Sequence, residues 1–238
     1  MSTMHADATD PGSGPAPSPP VRSGVRATGV LLAAGAGTRM GRPKALVSDP
    51  LTGEPWLLRG IRALVDGGCS AVVVVLGARA TEARELLATT VGGSPAGGIR
   101  VAPSTTTITV IEAPDWHDGL SASLRAGLSS LDPTTIDAAL ITLVDLPRLP
   151  AASVARLLDV ASPRTALRQA VYDGRPGHPV LIGADHLAAL GASLGGDRGA
   201  RSYLRAHGAE EVDCTDLGGG DDVDGPRRAL RESGTHSP

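Results

Sequence analysis

Phenylalanine is absent from this chain of 238 residues, and aromatic residues make up 2% of it. A core with so few rings must be packed from Val, Leu, Ile and Ala, and apolar residues at 41% supply them. Cysteine is scarce as well. Cys69 and Cys214 are the only two, and neither belongs to a Cys-x-x-Cys or Cys/His cluster, which argues against a disulfide framework or a structural zinc site. No apolar run approaches 18 residues, so no membrane-spanning helix is expected. Excess positive charge is missing too. The net charge of −3 gives no bulk attraction to nucleic acid or to an anionic membrane. The first 27 residues hold no apolar signal core, which points to the cytoplasm. Lysine is the rarest absence: among 22 Lys and Arg residues, Lys44 is the sole lysine.

What is present is an alternation. The length suits one large domain or two small ones. Residues 1–27 are rich in Pro, Gly, Ser and Ala and read as a disordered tail, as do 232–238. Between them, residues 28–231 read as one domain. Residues 28–33 and the Val-rich 71–77 read as strands buried on both faces, since neither alternates. Residues 55–68 space their apolar positions by three and four and end in a glycine pair, the pattern of a helix. Further helices are expected over 80–90, 120–131 and 150–161, with strands over 108–114 and 138–147. A flexible loop is expected between 92 and 107. Residues 165–183 suggest two short strands about a Gly/Pro turn, with His178 in the connecting loop. Two helices, 184–190 and 199–208, and a short strand at 209–216 complete the series. Strands alternating with helices predict an α/β fold, a doubly wound, mostly parallel sheet of Rossmann-like type in a single domain. Ligands in such sheets bind beyond the carboxyl ends of the strands.

The first of those ends is LLAAGAGTRMGRPKAL, residues 31–46. Gly35, Gly37 and Gly41 let the backbone approach a ligand and expose N–H groups suited to phosphate oxygens. Arg39 offers a bidentate fork and Lys44 a compact ammonium. Neither common nucleotide loop fits. The Walker loop needs Ser or Thr after its lysine, and Ala45 follows Lys44. The dinucleotide fingerprint needs a third glycine where Met40 stands.

The run LAAGAGTRMGRPKAL, residues 32–46, closely resembles the signature L-A-A-G-x-G-x-R-M-G-x-x-K of the MobA-like nucleotidyltransferase superfamily. Its Ala-Ala-Gly form resembles the molybdenum cofactor cytidylyltransferases, whereas the guanylyltransferases typically carry Ala-Gly-Gly. The resemblance implies nucleotide contacts at Leu32, Ala33, Ala34, Gly35 and Gly37, with Arg39 and Lys44 as the catalytic cations. Residues 113–128, APDWHDGLSASLRAGL, are similar to the family's segment beside the nucleobase and ribose, which implies roles for Gly119, Ser121 and Ser123. Ser121 could equally cap the helix that follows. LVDLP, residues 143–147, implies Asp145 as a Mg²⁺ ligand. Residues 221–230 resemble the family's closing D-I-D-T-P-E-D-L, although Gly225 and the pair Arg227–Arg228 depart from it. Asp222 and Asp224 alternate, and family position favours Asp224 as a second metal ligand; an acidic helix start reads the same segment without metal.

Two later segments, RPGHPVLIG and GGDRGARSYL, resemble stretches typical of the cytidylyltransferases and their close relatives. They imply substrate contacts at His178, toward a pterin or its phosphate, and at Asp197. Trp56 and Trp116 carry no motif; Trp116 could stack near the base, and packing is the simpler role. The reaction implied is transfer of CMP from CTP to the phosphate of molybdopterin, with release of pyrophosphate. The attacking phosphate is already ionised, so positioning and charge neutralisation suffice. The implied partners are CTP or another NTP, a phosphorylated pterin acceptor and a molybdenum hydroxylase. Three alternatives stay open. One is a transferase of the same fold for GTP or a sugar or polyol phosphate. Another is an NAD(P)H-dependent oxidoreductase of the nicotine blue type, for which the dinucleotide fingerprint is incomplete. The third is a non-catalytic carrier of the cofactor.

Overall fold

The computed structural model describes residues 24–91, 106–196 and 199–223. Among the described residues the sheet has seven strands: β1 (Ala27–Ala33), β2 (Ala71–Leu76), β3 (Thr107–Glu112), β4 (Ala138–Leu143), β5 (Leu167–Tyr172), β6 (Arg175–Gly183) and β7 (Glu210–Asp213). Their order is β3-β2-β1-β4-β6-β5-β7. β1 pairs in parallel with both β2 and β4, β2 with β3, and β5 with β7. β6 alone runs against its neighbours β4 and β5. The helices are α1 (Trp56–Asp66), α2 (Ala80–Val91), α3 (Leu120–Ser129), α4 (Ala151–Leu158), α5 (Leu187–Ser193) and α6 (Arg201–Ala206). None of the described helices is long and apolar enough to cross a membrane.

Buried strands need cover on both faces, and the helices divide accordingly. Leu31, Val72 and Val74 pack into one cluster with Leu57 and Ile61 of α1, Leu87 of α2 and Leu157 of α4. Val30, Leu32 and Val75 pack on the opposite face with Leu124 of α3, Leu190 of α5 and Leu204 of α6. The largest fully buried side chains are all Leu or Ile, as a chain without Phe requires. Burying each such side chain is worth about 1.5–3 kcal/mol. At the far edge, Arg168 of β5 donates to the carbonyls of Arg156, Leu157 and Asp159 where α4 ends. It also grips Glu210 of β7 with two hydrogen bonds. One buried guanidinium therefore satisfies a helix terminus and ties the last strand to the sheet.

His178 departs from expectation. It lies inside β6 rather than in a connecting loop. The turn between β5 and β6 is shorter than the Gly/Pro pattern suggests and is made by Asp173 and Gly174, both at positive φ. Strand pairing therefore continues through Arg175 and Pro176, opposite Tyr172 and Val171.

Candidate active site

The chain reverses its direction of travel across the sheet at β1. β2 and β3 lie on one side of it and β4 on the other, which opens a crevice beyond the carboxyl ends of β1 and β4, the usual ligand position in such a sheet. Backbone hydrogen bonds stitch the rim together. Val144 N–H donates to Leu32 O at 3.0 Å, Ala78 N–H to Ala34 O at 2.9 Å, and Ala113 N–H to Leu76 O at 2.8 Å.

The glycine loop rises from this rim. Gly37 has φ +60°, and a Cβ there would lie 2.0 Å from the carbonyl oxygen of Arg42. Only glycine lets the loop fold back on itself at that point. The fold-back carries a 3₁₀ turn at Thr38–Met40 and a second at Lys44–Leu46. It thereby brings Lys44 over the end of β4. Lys44 Nζ donates to Asp145 Oδ2 at 2.8 Å, with both side chains largely shielded, 16% and 19% exposed. The other carboxylate oxygen, Asp145 Oδ1, is buried and has no hydrogen-bond partner.

A cavity of about 420 Å³ fills the crevice. Leu32, Ala34, Gly35 and Gly37 line it from the first strand end, and Arg39 and Lys44 from the loop. Gly119, Ser123 and Asp145 line its other sides. Of the residues expected from the sequence, Ala33 and Ser121 do not line it. Ala33 points into the opposite core. Ser121 is buried in the first turn of α3, and its hydroxyl has no partner. It is not the helix cap either, since that position belongs to Gly119 with no side-chain cap bond. Trp116, half-buried, packs against the core as expected and also stands on the cavity wall beside His117. Gly77 makes room for its ring, because a Cβ there would sit 2.6 Å from the indole.

A second cavity of about 440 Å³ abuts the first. His178, Gln169, Arg201 and Ser202 supply its polar groups; of these only His178 was anticipated. The His178 ring sets Nδ1 3.3 Å from Ile141 O. Burial pushes its pKa below the ordinary histidine value, against the smaller opposing pulls of that carbonyl and the Asp145 charge. The imidazole is accordingly neutral, with Nδ1–H donating to Ile141 O and Nε2 left as an acceptor. A neutral ring with a free acceptor suits a ligand N–H or O–H better than a phosphate oxygen.

Asp197 and Asp224 lie outside the described residues. The closing segment nonetheless reaches the site: Val223 N–H donates to Asp145 O at 3.0 Å, and Asp222 beside it is exposed. Among the described residues no group of three or more His, Cys, Asp or Glu could hold a metal. One carboxylate with an orphaned oxygen fits a cation such as Mg²⁺, which takes one or two carboxylates and completes its shell with phosphate oxygens and water.

Residues 29–212 match the model of the MobA-like NTP transferase domain. A protein called nicotine blue oxidoreductase, from Paenarthrobacter nicotinovorans, is 34% identical over 207 residues, covering 83% of this chain and 91% of its own. The crystal structure of a homologue of Rv0371c from Mycobacterium sp. strain JC1 is 27% identical with a TM-score of 0.64, covering 90% of this chain and 96% of that one. Rv0371c of Mycobacterium tuberculosis in complex with manganese is 24% identical with a TM-score of 0.57, covering 79% and 88%.

Proposed function

The chain belongs to the MobA-like NTP transferase family, and from that premise we propose that it transfers CMP from CTP to the phosphate of a molybdopterin-type pterin, releasing pyrophosphate. The reading is carried by one observation: two cavities meet at the ends of β1 and β4, with Lys44 and Asp145 on the side of the glycine loop. Donor and acceptor each have a compartment. The choice of CTP rests on the Ala33-Ala34-Gly35 form of the loop.

In this proposal the triphosphate lies along the backbone of Gly35 and Gly37. Arg39 and Lys44 neutralise it and stabilise the charge that develops on pyrophosphate. Gly119 and Ser123 border the nucleoside. Asp145, with Asp224 as the second candidate ligand, would hold Mg²⁺ or Mn²⁺; Rv0371c, a protein of the same fold, has been crystallised as a manganese complex. Such an ion, held by Asp145, would supply further charge neutralisation to the phosphates. His178 Nε2 accepts a hydrogen bond from the acceptor's heterocycle in the second cavity, and Asp197 is a further candidate contact there. No side chain is needed as general base, because the attacking phosphate is ionised at neutral pH. We place the reaction in the cytoplasm, with a molybdenum hydroxylase as the recipient of the product.

A pyrophosphate-release assay with Mg²⁺, each NTP in turn, and molybdopterin with and without molybdenum tests the reading. CTP with a pterin acceptor is expected to give the highest turnover; release with no NTP under any condition would refute it. The likeness to the nicotine blue enzyme favours a second reading, reduction of a dye-like heterocycle by NAD(P)H. Loss of NAD(P)H absorbance with the same preparation would support that reading.

A further inference from the structure

We propose that Leu120 keeps water away from the reacting phosphorus, so that the nucleotide passes to its acceptor and not to water. The inference rests on the transferase reading above. The two cavities share three lining residues, Leu32, Leu120 and Leu143. Leu32 and Leu143 are register partners in β1 and β4, so they stand side by side at the point where the sheet changes its winding direction. Leu120 comes from the other wall, as the first residue of α3. It is one of only two large apolar side chains exposed among the described residues, at 37%. Gly199 accommodates it: a Cβ at that position would lie 3.0 Å from Leu120 Cδ2.

Three leucines therefore form an apolar partition between a compartment carrying Lys44 and Asp145 and one carrying His178 and Gln169. An exposed leucine gains nothing from water. It gains once ligands fill both sides and cover it. In the transfer, a phosphate oxygen of the acceptor forms a bond to the α-phosphorus of the NTP. The bond from that phosphorus to the bridging oxygen of pyrophosphate breaks. Hydrolysis uses the same electrophile and leaving group, but a water oxygen forms the new bond, a proton is released and NMP results. Charge neutralisation by Arg39 and Lys44 assists both reactions equally. Only control of what reaches the junction separates them.

The test uses the full chain, Mg²⁺, molybdopterin as the acceptor and CTP labelled at the α-phosphate, with each other labelled NTP run in parallel, and the NMP and transfer product are separated by chromatography. Leu120→Ala is expected to raise CMP formation relative to transfer roughly tenfold, equivalent to about 1.4 kcal/mol of lost discrimination. Leu120→Met, which keeps an apolar side chain of similar size, is expected to retain the wild-type ratio. Leu51→Ala, at the other exposed leucine, should leave both rates unchanged. Melting curves establish that each variant is folded. A wild-type ratio in Leu120→Ala, or an equal loss of both products, would overturn the partition role while leaving the transferase reading intact. Absence of both products in the wild-type protein with every NTP would remove the transferase reading and this inference with it.

Discussion

Lys44 Nζ lies 2.8 Å from Asp145 Oδ2, so the chain's single lysine rests on the carboxylate proposed to hold the metal. An ammonium and a divalent cation compete for one carboxylate. Lys44→Met keeps most of the apolar stem and removes the charge. Manganese binding to the nucleotide-free protein is expected to tighten roughly fivefold, as for a partly exposed ion pair worth ~1 kcal/mol. Turnover is expected to fall about 10²- to 10³-fold, as when one transition-state donor is lost. Electron paramagnetic resonance titration reads the first effect and pyrophosphate release the second. Unchanged manganese affinity would show that lysine and metal do not share Asp145.

Two glycines of the same loop separate folding from binding. Gly37 sits at φ +60° with Arg42 O directly in the path of a Cβ, whereas Gly35 has nothing within 4 Å. Gly37→Ala is expected to cost about 1–2 kcal/mol from the left-handed backbone alone, with a further loss from the clash. Its Tm should drop by several degrees. Gly35→Ala is expected to leave Tm in place and weaken nucleotide binding, because only a ligand would meet the new methyl. Thermal melts with and without CTP distinguish the two. Equal Tm losses would contradict the assignment.

Periodicity made the parallel half of the fold legible. The unbroken Val72–Val75 run and the three-and-four spacing of α1 each have one reading in an α/β chain. The end of β5 was not legible in the same way. Gly and Pro around His178 suggested a loop, yet pairing with Tyr172 and Val171 continues through Arg175 and Pro176. The glycine-loop end of the candidate site was legible because its glycines and cations are consecutive in the chain. The second cavity was legible only at His178, since Gln169, His178 and Arg201 come from three separate elements, β5, β6 and α6. Trp116 does both things its sequence position allows, packing against the core on one side and lining the first cavity on the other, and the space opened by Gly77 sets which way its ring lies.

Burial of His178 has a consequence for stability against pH. Its pKa in the fold is depressed below the ordinary 6.5, so the unfolded chain takes up a proton first as pH falls. Stability from this residue is complete above the unfolded value. It is lost as pH drops below about 6.5 toward the folded value, where the loss levels off. Asp145 opposes the shift through its charge and does not reverse it. Urea unfolding of wild type and His178→Gln between pH 7.5 and 5 is expected to give curves that converge as the pH falls, the wild type having the steeper descent. Parallel curves would show that His178 does not titrate differently on folding.

Trp116 and Trp56 are the chain's two tryptophans, and they occupy opposite environments. Trp56 is 2% exposed within the core against α1's face of the sheet. Trp116 lines the first cavity, edge-on to His117 with ring centroids 6.1 Å apart at 89°. A nucleotide entering that cavity changes the surroundings of Trp116 alone. CTP is therefore expected to quench the intrinsic fluorescence of the wild-type protein, and the response should vanish in Trp116→Leu. If the base stacks on the indole, that variant should also bind CTP about tenfold more weakly, within the ~1–3 kcal/mol typical of base–aromatic contacts. Trp56→Leu should instead lower Tm while keeping the quench, because it opens a gap in the core and leaves the cavity wall untouched. A quench that survives Trp116→Leu would place the signal at Trp56 and remove Trp116 from the nucleotide's surroundings.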